Sequence, residues 1–159
     1  MQVRGCLFLD RPMNQDLHGR LAAYCLTRHY KRGGEDDGLM ALDPDDKDAP
    51  DWRALYGRAE WRLGKVPREL LDYSTVARGA PSLYCHWRPS DDRMGLEFDG
   101  CEKADCMVAW LRFLIRRFVK PAGHVLNGEV EMQWGMMWKR VQVRNNRVHV
   151  VETMIKTGS

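Results

Sequence analysis

From Pro81 to Gln133 the hydrophobic period changes twice, from strand-like to helical and back, and few architectures accommodate that order. Leu83, Cys85 and Trp87 alternate with Tyr84, His86 and Arg88, and Pro89 ends the run. Asp91-Asp92-Arg93 has the chemistry of a turn, after which Met94–Phe98 returns as a hairpin partner, closed by Asp99-Gly100. A helix is predicted from about Glu102 to Lys120, stopped by Pro121. Val108, Leu111, Leu114, Ile115 and Phe118 form its apolar stripe, with Met107 and Trp110 at the edges. Arg112, Arg116, Arg117 and Lys120 lie on or near the opposite face.

On the C-terminal side, Val125–Trp134 alternates as a strand. Val141, Val143, Val148 and Val150 flank Asn145-Asn146, a pair that tolerates left-handed turn geometry. Asn127-Gly128 is an alternative hairpin turn that would split the preceding strand. On the N-terminal side, Val3–Leu9 alternates weakly and stops at Asp10-Arg11-Pro12. Asn14 can then cap a helix carrying Leu17, Leu21, Tyr24 and Cys25 on one face, closed by Gly33-Gly34.

The order strand, helix, strand, strand, helix, strand, strand is the split βαβ pattern with an appended strand. It predicts an α+β fold: an antiparallel sheet of about five strands with two helices on one face, ferredoxin-like with an added C-terminal strand. The chain of 159 residues reads as a single domain, 1–159, with an irregular acidic insertion over 33–80. Within that insertion, residues 35–51 hold eight acids, among them Asp43, Asp45 and Asp46, against one lysine. The local charge is −7, which leaves +10 elsewhere. Trp52, Tyr56 and Trp61 argue against full disorder there.

The longest apolar run is interrupted by Arg112, Arg116 and Arg117, short of the roughly 18 residues of a membrane span, so no membrane partner is expected. Asp10 stands where a signal peptide is still apolar, and the five scattered cysteines include no C-x-x-C. A cytoplasmic setting with reduced thiols is expected. No metal site and no cofactor are implied, and nucleotide-loop, nucleophile-elbow and zinc-protease motifs are missing.

The separated motifs LLDYSTVARGAPSLYCHWRP, GLEFDGCEKADCMVAWLRFLI and FVKPAGHVLNGEVEMQ occur in order, with matches from about Leu71 to Gln133. In them the chain resembles a family of small, functionally uncharacterised phage and bacterial proteins. The resemblance implies a phage or mobile-element origin and carries no activity. Two departures stand out: Ala104, Asp105, Cys106 and Met107 replace the family's aromatic tract, and Trp134-Gly135-Met136-Met137-Trp138-Lys139-Arg140 replaces its glycine and acidic loop.

Four groups of residues are candidates for function. Trp134, Met136, Met137 and Trp138, rimmed by Lys139 and Arg140, have the composition of a protein-binding hot spot in a turn. Asn127, Glu129, Glu131 and Gln133, spaced by two, share one strand face that either binds or simply meets water. Glu97, Asp99 and Glu102 can serve acid–base chemistry, or equally cap a helix. Arg112, Arg116, Arg117 and Lys120, with Lys139, Arg140, Arg144 and Arg147, can form a nucleic-acid stripe, or a solvated face.

A non-enzymatic cytoplasmic interaction protein is expected. It would bind and occlude a host protein or ribonucleoprotein complex, with inhibition of antiviral defence, as by an anti-CRISPR, as the specific case. A nucleic-acid-binding module and a novel carboxylate-dependent enzyme are the alternatives.

Overall fold

The computed structural model describes residues 2–26, 29, 76, 80–101 and 106–154. The acidic insertion, including Asp43, Asp45 and Asp46, lies outside the described residues apart from Val76 and Ala80, as do Glu102 and the Gly33-Gly34 helix stop. The elements are β1 (Gln2–Leu9), α1 (Gln15–Leu26), β2 (Trp87–Pro89), β3 (Gly95–Phe98), α2 (Met107–Leu114), β4 (Leu126–Trp134), β5 (Met137–Arg144) and β6 (Arg147–Met154). The fold is α+β. One antiparallel sheet runs in the order β2-β3-β1-β4-β5-β6.

Local chemistry accounts for the first helix. The Asn14 Oδ1 accepts the Leu17 N–H at 2.7 Å, which satisfies one of the donors a helix start leaves open. Leu17, Leu21, Tyr24 and Cys25 are its buried face, as their spacing predicts. At the other end of the chain, Asn145 and Asn146 both adopt positive φ, 48° and 67°, the geometry that a two-residue hairpin turn requires. The β5–β6 hairpin follows.

The sheet has six strands where about five are predicted, because the tract after Trp134 is a second tight hairpin. Only Gly135 and Met136 turn, and Gly135 supplies the positive φ (58°) at the first turn position. Met137–Arg140 therefore belong to β5 and not to a loop. Asn127-Gly128 is no turn either; both residues lie within β4, paired with β1 and β5.

The second helix also departs from expectation. Its α-helical part is Met107–Leu114, followed by a π-helical turn over Ile115–Val119, where the Lys120 N–H donates to the Ile115 carbonyl at 2.8 Å. The wider turn shifts the inward face by one position, so Val119 is buried while Phe118 is half-buried. Trp110, expected at the edge, is at the centre of the core with no exposed surface. Its indole Nε1–H donates to Ser82 Oγ at 2.7 Å, which is how a polar atom is accommodated there.

Both helices share one core. Tyr24 of α1 stacks on Phe113 of α2 at 5.9 Å and meets Trp110 edge-on at 6.3 Å. Beneath them lie Leu7, Leu9, Trp87, Leu96, Leu126, Val130, Met132, Val141 and Val143 from the sheet. The Trp87 indole donates to the Met107 carbonyl at 2.8 Å and holds β2 to the start of α2. Cys25 and Cys85 meet inside this core with sulfurs 3.9 Å apart; the Cys85 contact and burial push the Cys25 thiol pKa well up, which keeps it protonated.

The end of β1 is tied to the start of β4 by Asp10, which accepts the Val125 N–H at 3.0 Å and faces His124 Nδ1 at 3.3 Å. That N–H lowers the Asp10 pKa below its ordinary 3.8, with help from Arg11 and His124 against some desolvation. A depressed carboxylate contributes stability above its unfolded pKa and loses it as pH falls through the folded one. Urea midpoints measured from pH 6 downward should therefore fall on the acid side of 3.8 less steeply for Asp10→Asn than for the wild-type chain. Equal slopes would contradict the assignment. Asp92, lowered by the Ser90 hydroxyl, supplies slope common to both proteins.

Candidate functional site

Side chains alternate across a strand, so the register decides which residues share the face that no described helix covers. On β4 those are Asn127, Glu129, Glu131 and Gln133. Opposite them stand Phe8, Cys6, Arg4 and Gln2 of β1 on one side, and Gln142, Arg140 and Trp138 of β5 beside the last three on the other. Parts of two candidate groups that the sequence presents as separate thus share one surface. The four spaced residues of β4 and the Trp138–Arg140 end of β5 are neighbours.

Arg140 is the centre of this surface. Its Nε lies 2.9 Å from Glu129 Oε1 and 3.0 Å from Glu131 Oε1, and its Nη2 donates to the same Glu131 oxygen at 2.8 Å. The guanidinium carbon sits 4.8 Å from the centroid of the Trp138 ring. Gln142 completes the network by donating to Glu129 Oε2 at 3.4 Å. A half-buried arginine held by two carboxylates and one indole face has little freedom left, so the Trp138 ring is presented in a fixed orientation.

Beside it is a shallow open groove lined by Gln2, Arg4, Glu131, Met132, Gln133 and Trp138. Arg4 makes no ion pair among the described residues and is exposed. The groove therefore offers a guanidinium that is unpaired among the described residues, two carboxamides and an aromatic edge. Phe8, farther along β1 on the same face, is 50% exposed. Sequence reasoning missed Gln2, Arg4 and Phe8 because β1 alternates weakly. Its pairing with β4 spans more than a hundred positions and leaves no local signal.

The other candidates are distributed differently. Trp134 and Met137 pair with each other on the helix-covered side, where Trp134 packs against the core. Met136 stands in the turn, 46% exposed, and Lys139 reaches Glu152 at 3.9 Å. The proposed Trp/Met cluster is split between two faces by the strand period. Asn127 serves the fold, since its Oδ1 accepts the Asn145 N–H at 2.9 Å and braces the hairpin tip.

Glu97 and Asp99 sit on the β2–β3 hairpin, each in a cross-strand pair: Arg88–Glu97 at 3.2 Å and His86–Asp99 at 2.7 Å. Asp99 also accepts the Cys101 N–H at 2.8 Å. Among the described residues no group of three or more His, Cys, Asp or Glu is placed to hold a metal ion. Arg116 and Arg117 both lie 5.8 Å from the Phe113 ring, and Arg112 donates to the Val148 carbonyl at 3.4 Å. With the exposed Lys120 they form a basic patch on the helix layer, whereas Arg144 and Arg147 are on the open sheet face. The basic stripe drawn from the sequence is two separate patches.

No helix among the described residues is long and apolar enough to cross a membrane. No protein family, curated protein or solved structure gives a match to this chain.

Proposed function

We propose that this chain is a non-enzymatic interaction protein that docks a host protein, or the protein part of a ribonucleoprotein, on the open face of its sheet. The observation that carries the proposal is the Trp138–Arg140 stack clamped by Glu129 and Glu131 beside the exposed Arg4. Tryptophan and arginine are the side chains that most often dominate binding energy at protein interfaces, and a rigid pair loses little entropy on binding. Occlusion of a component of antiviral defence in a bacterial cytoplasm is the specific role, in keeping with the phage-like motifs.

A protein partner is favoured over nucleic acid by the sign of the surface. Glu97, Glu129 and Glu131 interleave with the arginines across the same face, and a phosphate backbone would meet carboxylates set among the cations. A protein surface can match such a mosaic charge for charge.

Affinity capture from bacterial lysate at low salt, with and without nuclease, tests this. The expected outcome is a defined protein that persists after nuclease and is lost with Trp138→Ala or Arg4→Glu. Truncation at a hot spot costs about 2 kcal/mol or more, some thirtyfold in affinity. Retention of nucleic acid alone, or a capture profile identical for wild type and both variants, would overturn it.

A further inference from the structure

The two edges of the sheet are built differently. β2 is three residues long and contains Pro89, which has no N–H to offer a neighbour. β6 runs for eight residues without proline, glycine or bulge, paired one for one with β5. Among the described residues, one edge is blunted by its own sequence and the other is not.

The direction of the free backbone groups on β6 follows from its turn. A two-residue hairpin makes Arg144–Arg147 a hydrogen-bonded pair, and the ladder then alternates. The N–H and C=O groups of Val148, Val150 and Glu152 are therefore turned away from β5. Arg112 marks that direction, since its Nη2 donates to the Val148 carbonyl from outside the sheet. The outward groups of Val150 and Glu152 meet no partner among the described residues. Val150 is 36% and Val151 54% exposed, while Val141 and Val143 on the adjoining strand are buried.

We propose that β6 pairs antiparallel with β6 of a second copy of this chain, with Val150 on the twofold axis. Charge fixes both the occupant and the register. With Val150 opposite its own counterpart, Val148 stands opposite Glu152 of the second copy. Both of those side chains are on the helix-covered side, where the Arg112 guanidinium already rests on the Val148 carbonyl. Each copy's Arg112 then meets the other's Glu152, twice by symmetry. Sliding the strands so that residue 149 or 151 is central loses both pairs. The antiparallel sense also keeps the basic hairpin tips, Arg144 and Arg147, at opposite ends of the contact.

Pairing joins two six-stranded sheets into one and brings the Val150 side chains into contact. Both open faces end on the same side, so the assembled protein presents two Trp138–Arg140 sites in one plane.

Sedimentation equilibrium on the full chain reads this directly. The expected result is a concentration-dependent approach to twice the 18.5 kDa chain mass. Val150→Pro removes an outward N–H that the monomer does not use, and should leave a monomer with an unchanged circular dichroism spectrum. Arg112→Glu and Glu152→Arg should each weaken self-association by about tenfold, and the two together should restore it to within about threefold. A single-chain mass at every concentration overturns the proposal. A dimer indifferent to Val150→Pro, or a charge exchange that fails to rescue, overturns it as well.

Discussion

A Trp110→Ala variant is expected to lose about 3–5 kcal/mol of unfolding free energy, the usual cost of removing a large aromatic side chain from a packed core. A domain of this kind has about 5–15 kcal/mol in total, so the loss takes a large part of it. Trp110 has no exposed surface and sits where the two helices and the sheet meet, against Tyr24, His29 and Phe113. Its removal also takes away the donor to Ser82 Oγ. Urea denaturation followed by circular dichroism checks the result. A loss below about 1 kcal/mol would mean that the core collapses around the gap and that the helix layer is less tightly packed than described.

Gly5→Ala should come close to it, by a different route. Gly5 lies in the middle of β1 with φ at +90°, a conformation that side chains rarely adopt, and a methyl group there would press against the Glu129 carbonyl oxygen. Strained φ costs about 1–3 kcal/mol and overpacking a similar amount, so a loss of about 2–5 kcal/mol is expected. The close approach of β1 to β4 is lost first. Amide exchange should therefore accelerate in those two strands before the β5–β6 hairpin responds. Uniform acceleration across the sheet, or an unchanged denaturation midpoint, would contradict the predicted clash.

What could be read from the sequence was what neighbouring residues decide among themselves. Asn14 caps α1 and Asn145-Asn146 turns β5 into β6 because each needs only a few adjacent positions. The stripe of α2 ends on Val119 and not on Phe118, since a π-helical turn moves the inward face there by one residue and has no mark in the hydrophobic period. The tract Trp134–Arg140 looked like one apolar loop; a single glycine made it a hairpin and sent alternate side chains to opposite faces. The site was the least legible feature. Arg4, Glu131 and Trp138 are brought together only by the order in which three strands lie side by side, and no local rule gives that order.

The position of β1 bears on how the molecule comes into being on the ribosome. β4, β5 and β6 are consecutive hairpins that can pair as soon as they are synthesised. β1 is made early, yet its partner residues in β4 follow it by 117 to 131 positions, from Leu9 with Leu126 to Gln2 with Gln133. The strand at the centre of the finished sheet is thus kept waiting through most of translation. Gln2 and Arg4 arrive with it, so the groove beside Trp138 exists only in a chain whose synthesis has passed β4 and entered β5.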